Sequence, residues 1–269
     1  MKLLSLIFPV AIFSAALHVS PATAADMRAA TQGFDCRFHH VIGSAIPTQK
    51  SDDHAALDAV LKKMDSVAAN FRTTQAEFEW DNYQRAIDEV VDVETGAIYY
   101  RRNGNEIEMM ANVKKSGTSL SDLKPEQKYV LFSDGKVKMY SPKIDQLTVY
   151  DLGKNRADLE SFVVLGFGGS GQDLLKIFDV TYGGTENIGG IQATKLSLVP
   201  KSEKVRRSYN KMILWIDPDK GVSIQQQFFT PQEDHRLCKY SAIKVNEKID
   251  NDVFKLKTTN KTQTISPGS

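Results

Sequence analysis

Residues 129–152 read YVLFSDGKVKMYSPKIDQLTVYDL, and this stretch decides the fold class. Three short runs of alternating apolar residues are joined by Asp134-Gly135 and by Ser141-Pro142-Lys143. Asp-Gly between two alternating runs is a strong hairpin signal, because the tight turn it favours matches the twist of the flanking strands. The stretch holds no Cys, no His and no glycine-rich phosphate loop. It reads as wall, and the question becomes what the wall encloses.

Upstream the same period of two continues. Phe78 and Trp80 alternate with Glu77, Glu79 and Asp81. Strands are predicted over 86–93, 97–102 and 107–113, with turns at Thr95-Gly96 and Asn103-Gly104-Asn105 and a polar loop over 117–125. Before them the period is helical. Leu57, Val60, Leu61, Met64, Val67 and Phe71 recur at spacings of three and four, opposite Asp58, Lys62, Lys63 and Asp65. Ser51 is the expected N-cap, with Asp52 and Asp53 in the first turn, where the helix dipole favours negative charge.

Downstream, residues 155–165 carry Leu159, Phe162, Val163 and Val164 on a broad apolar face. The run ends in Gly166-Phe167-Gly168-Gly169-Ser170-Gly171. No Lys-Ser/Thr pair follows, and the glycines follow a helix rather than a strand, which disfavours a phosphate cradle. A joint between two short helices, the second at 172–178, fits a movable lid. Strands are expected again over 179–187, 191–199, 208–217, 222–230 and 235–245, with a closing turn at Asp252-Val253-Phe254. Asp217-Pro218-Asp219-Lys220-Gly221 opens like a calcium loop, but its twelfth position is Phe228, so it reads as a turn. About 11 strands linked by short turns describe a mainly β (α+β) chain. Its sheet curls into an incomplete antiparallel barrel, and helices cover the apolar opening.

The start of the chain reads as a targeting segment. Lys2 precedes an apolar run over 3–17, and Ala22-Thr23-Ala24 places small residues at −3 and −1. That pattern describes a signal peptide cleaved between Ala24 and Ala25, which implies export. No other run approaches the ~18 apolar residues of a spanning helix. The expected organisation is a signal peptide (1–24), a flexible arm (25–50), a folded domain (51–257) and a disordered tail (258–269).

Of 269 residues, 41% are hydrophobic and 25% charged, with formal net charge +1. Lys2 supplies that charge, so the mature chain balances to zero and no nucleic-acid partner is expected. Cys36 and Cys238 could pair in an oxidising compartment or stay free thiols, and their spacing decides neither. Gly33-Phe34-Asp35 does not resemble the residues that precede a lipidated cysteine. His39-His40 lacks the further ligands a metal site needs, and no triad spacing is present among the histidines. Neither an enzyme nor a cofactor is expected.

The ordered set of motifs over 53–257 resembles the LolA family of periplasmic lipoprotein carriers. The leading helix ends near Phe71-Arg72-Thr73-Thr74-Gln75, and Gly96 to Arg102 forms a glycine-started aromatic strand ending in Arg. Ser133-Asp134-Gly135 precedes the strand through Tyr140, Gln146 to Tyr150 alternates, and Leu214-Trp215-Ile216-Asp217 comes late. The resemblance implies an open barrel whose cavity takes acyl chains of lipoproteins on their way from the inner to the outer membrane. Implied partners are an inner-membrane lipoprotein-releasing ABC transporter and an outer-membrane acceptor. A lipid-sensing envelope-stress regulator of the same fold is the alternative. The family arginine that holds the lid matches Arg102, and Ile98 and Tyr100 share its strand face by parity. The family's proline and aromatic return strand are absent after Arg102, leaving Ile107 and Met109 as cavity positions. Phe78, Trp80, Leu131, Met139, Val149, Phe162 and Val163 complete the expected lining.

Overall fold

The computed structural model describes residues 48–103, 106–153, 162 and 165–267. Among these residues twelve strands make one sheet. The first six are β1 (Thr73–Gln84), β2 (Glu89–Asn103), β3 (Glu106–Gly117), β4 (Lys124–Ser133), β5 (Lys136–Ser141) and β6 (Gln146–Asp151). The others are β7 (Phe178–Ile188), β8 (Ile191–Pro200), β9 (Lys211–Ile216), β10 (Ser223–Phe229), β11 (His235–Val245) and β12 (Gln263–Ile265). Their order is β12-β6-β5-β4-β3-β2-β1-β11-β10-β9-β8-β7. All pairs are antiparallel except β12, which lies parallel to β6. The order has two ends, so the barrel is not closed. Two meanders of sequence neighbours meet where β1 pairs with β11, with Phe78 opposite Tyr240 and Trp80 opposite Cys238.

The expected turn at Thr95-Gly96 does not exist, because β2 runs straight through it. The register slips there between Thr95 and Gly96, and neighbouring ladders slip at Gln75/Glu77 and Val113/Lys115. Bulges aligned across adjacent strands bend a sheet, which gives this one its curvature. Gly96 permits the close approach: a Cβ there would lie 2.0 Å from the Asn112 carbonyl oxygen and 2.9 Å from the Phe78 ring. The glycine marks a bend within a strand rather than its end.

Helix α1 (Thr48–Asn70) starts before Ser51, so Ser51 lies inside the helix and does not cap it. Its apolar stripe is as the spacing predicts. Val60, Leu61 and Met64 are buried, and Leu57 and Val67 pack beside them. Helix α2 (Gly171–Ile177) is capped by the Ser170 hydroxyl, which accepts from the Asp173 backbone N–H at 3.0 Å. The Gln172 backbone N–H donates to Asp65 of α1 at 3.1 Å and ties the two helices together. A short helix α3 (Glu203–Arg206) occupies part of the expected 208–217 approach, so β9 begins only at Lys211.

The tail expected to lie free returns to the sheet. The Thr259 and Thr262 hydroxyls donate to the Asp145 carboxylate at 2.7 and 2.6 Å, and β12 then adds to the edge of β6. Asp145 provides the anchor that tail composition alone does not reveal. Just upstream, a 3-10 turn (Asn251–Phe254) lays Phe254 against Met110 and Leu131 on the convex face. The Arg101 guanidinium sits 4.1 Å over the Phe254 ring and also bonds Glu108 and Asn251. The sheet is therefore apolar on both faces at this point.

Gly96→Ala is expected to lower stability by about 2–3 kcal/mol, since the added methyl meets backbone that cannot yield. Urea denaturation would check it, and an unchanged midpoint would refute the bend assignment.

Candidate functional site

The concave face is set by strand parity. On β2, Ile98 and Tyr100 point inward, opposite Ala111 and Met109 of β3. Phe78 and Trp80 of β1 stack at 3.9 Å on the same face, and Tyr240 and Cys238 continue it on β11. All belong to one buried apolar cluster that also takes in the stripe of α1. Ile107 and Met139, both half-buried, pack against it. Phe162 is buried edge-on to Phe178 at 5.8 Å. Val163, Cys36 and His39-His40 lie outside the described residues.

Two expected lining residues face the other way. The Asp134-Gly135 turn sets Phe132 opposite Val137 and Val130 opposite Met139, and these four point inward. Leu131 therefore points outward and is buried by Phe254 instead. Val149 pairs with Lys138 on the outer parity, while Tyr150, opposite Val137, packs on the inner cluster. The run Val130 to Phe132 is buried on both faces, so its hydrophobicity does not announce which side is inside.

Arg102 shares the inner parity of Ile98 and Tyr100, but it lies at the mouth and is exposed. Its guanidinium stands 5.9 Å over the Phe71 ring, and its backbone N–H donates to the Arg72 carbonyl at 2.8 Å. Among the described residues its side chain makes no hydrogen bond to the cover.

Phe167 fills the interior instead. It is fully buried, stacked on Tyr100 at 5.0 Å and edge-on to Tyr240 at 4.7 Å. Its neighbours hold it there. The Ser223 backbone N–H donates to the Gly166 carbonyl at 2.8 Å, and the Gln226 amide donates to the Leu165 carbonyl at 2.6 Å. The Tyr240 hydroxyl in turn donates to the Gln226 side-chain oxygen Oε1 at 3.2 Å. Gly168 has φ +89°, and a Cβ there would meet the Phe71 ring at 2.6 Å. The glycine run is thus a packed clasp on β10 and Phe71, not an open joint. The sequence signal was a single aromatic flanked by glycines, the arrangement that lets backbone approach a core closely.

At one end the concave face turns polar. Arg236, fully buried on β11, donates through Nε to Asn82 at 2.7 Å and lies 5.3 Å over the Trp80 ring. Asn82 donates to Asp92 at 2.9 Å, and Lys128 pairs with buried Glu94. Burial, followed by the nearby Glu94, raises Asp92 above the usual carboxylate range. This charged floor was missed, although Arg236, Cys238 and Tyr240 share one parity that could have revealed it.

The interior offers shape and apolar surface rather than an activated nucleophile. Burial pushes the Cys238 thiol up to about 12, the opposite of a reactive thiolate. Among the described residues no group of His, Cys, Asp or Glu is placed to hold a metal ion. No described helix is long and apolar enough to cross a membrane.

No protein-family model and no curated protein sequence matches the chain. Solved structures do align with it. MucB aligns at 13% identity and TM-score 0.47, covering 78% of this chain and 66% of MucB. An uncharacterized conserved protein from Thermus thermophilus aligns at 12% and 0.46, covering 80% and 99%. A LolA superfamily protein from Nitrosomonas europaea aligns at 13% and 0.36, covering 74% and 97%. Alignments this distant carry no argument about cargo or partner.

Two outcomes are expected. Phe167→Ala should cost about 3–5 kcal/mol, the usual range for emptying an aromatic core site, and should speed uptake of a small apolar dye. Equal dye uptake by both proteins would show that Phe167 does not occlude the interior. In a Cys36→Ser background, Cys238 should resist Ellman's reagent at pH 8 and react fully in guanidinium, whereas rapid native reaction would contradict its burial.

Proposed function

We propose that the chain is a periplasmic carrier that holds acyl chains of lipoproteins against its concave face and moves them from the inner to the outer membrane. The observation that supports this reading is the continuous apolar lining from Phe78 and Trp80 to Met139, covered by α1 and Phe167. The motif order around Gly96 to Arg102 and Ser133 to Pro142 points the same way.

Energetics constrain how such a carrier would work. Each buried methylene is worth about 0.8 kcal/mol. Two or three fully buried chains would pass the ceiling of roughly 18–21 kcal/mol for noncovalent binding. A carrier that releases its cargo must therefore bury the chains only in part, or spend part of the gain on opening its cover. The covered face fits the second route, because Phe167 and Phe71 must leave their contacts before a chain can lie along Tyr100. Met109 and Met139 are unbranched and adapt to chains of differing shape.

Native mass spectrometry of the full chain, purified gently from its expressing cells, should show added mass matching a diacyl or triacyl species. A photo-crosslinker at Ile107 should capture acylated proteins. Persistent absence of both would sink the carrier reading. Acyl binding without transfer to acceptor vesicles would instead point to a sensor.

A further inference from the structure

One row of the concave wall carries an amide among apolar neighbours. Across β8, β9, β10, β11 and β1, register sets Leu196, Leu214, Gln226, Cys238 and Trp80 side by side. All but Gln226 belong to the buried apolar cluster, and Gln226 itself is only 3% exposed. A buried amide on such a wall needs a partner at each end. Nε2 donates to the Leu165 carbonyl at 2.6 Å, and Oε1 accepts from the Tyr240 hydroxyl at 3.2 Å. Gly166 makes the first bond possible. A Cβ there would lie 2.7 Å from Nε2 and 2.5 Å from the Ser223 Cβ.

The two partners differ in permanence. Tyr240 is part of the β11 wall, whereas Leu165 belongs to the clasp. Only Gly166 separates Leu165 from Phe167. A movement that withdraws Phe167 from between Tyr100 and Tyr240 therefore withdraws the Leu165 carbonyl as well. The opened wall then presents a guest with an amide donor still held at its other end by Tyr240. An N–H turned toward hydrocarbon there has lost an acceptor and gained none. A site built to donate to its guest rejects an analogue that lacks the acceptor, here by about tenfold or more. A guest that brings its own carbonyl restores the bond. Ester-linked and amide-linked acyl chains carry one, and alkyl ether chains do not.

We infer that Gln226 is a specificity-determining residue: its amide donates to the Leu165 carbonyl when the interior is closed and to an acyl carbonyl of the guest when it is occupied. This role rests on the acyl-carrier reading and narrows it. The apolar lining accepts any chain of suitable shape, whereas Gln226 separates acyl groups from other hydrocarbon. Closed and occupied states then satisfy the same donor with the same kind of acceptor, so exchange between them leaves no buried amide unpaired.

The test is displacement of a bound apolar dye from the full chain by dioctanoylglycerol, an ester, and by dioctylglycerol, its ether analogue with chains of equal length. The ester-to-ether affinity ratio of the parent should fall about tenfold or more in Gln226→Met, which keeps the length of the side chain and removes the donor. If Gln226→Met does not fold, the side-chain amide resonance of Gln226 in the parent decides. Its proton should hold a downfield, hydrogen-bonded position with the ester bound and move upfield with the ether. An unchanged ratio in Gln226→Met, or the same amide shift with both lipids, would overturn the role of Gln226 and leave the carrier reading in place. Dye displaced by neither lipid would instead sink the carrier reading, and the role of Gln226 with it.

Discussion

The pairing of β1 with β11 is the constraint on which the rest of the structure depends. Each flanking meander can form from sequence neighbours, but neither encloses anything alone. The seam joins residues as much as 174 positions apart in the case of Arg72 and Asn246. Closing a loop of that length costs roughly 4 kcal/mol of chain entropy beyond a constant term. Dense contacts offset it. Lys239 reaches Glu79 at 2.5 Å and Asp81 at 2.9 Å across the outer face. Trp80 lies opposite Cys238 on the inner face, and Asn246 accepts from the Arg72 backbone N–H at 2.8 Å. Without this seam Phe78 and Tyr240 would line two separate sheets. Local hairpins should therefore form early and the seam late, as expected where non-local contacts must first close a long loop.

Much of this was legible in the chain. The α1 stripe follows from period and the 134–135 hairpin from its Asp-Gly turn, and period also sets Phe78 with Trp80 and Ile98 with Tyr100 on shared faces, while the inward direction of Ile98, Tyr100 and Met109 is what the family resemblance implies. The failures share a cause: period says that two faces differ, not which other segment covers each. Parity carried across the turn assigns Leu131 to the cavity, but Phe254 from the far end of the chain covers its side of the sheet. The tail looked solvated because nothing in its Thr-rich composition points to Asp145. Gly96 was read as a turn because glycine ends strands as readily as it bends them. Phe167 was overlooked because its neighbours, not its own identity, determine that it points inward.

The charged floor shows how the concave face is bounded. Burying Arg236 and Glu94 would be prohibitive singly, and the network tolerates it because half-buried Lys128 pairs with Glu94, Arg236 donates to Asn82, and Asn82 in turn bonds half-buried Asp92. Such a layer gives no obvious gain in stability over apolar packing, yet it defines a sharp edge. Hydrocarbon that reaches Trp80 can go no further without stripping water or partners from an ion. The depth of the apolar face is thus set by electrostatics, whereas its width is set by the curl of the sheet.

The same economy applies to the clasp around Phe167. A side chain tethered on its own backbone competes for the space between Tyr100 and Tyr240 at a fixed effective concentration, which no dilution can lower. Under the proposed function a guest would have to displace it, and it would re-enter by a unimolecular step when the guest leaves. Occupancy then depends on the ratio of guest affinity to that internal competitor rather than on affinity alone. In the carrier proposed above, such a competitor would act as a built-in eluent, and exchange would run downhill toward a better acceptor without a nucleotide or ion gradient acting on the chain itself.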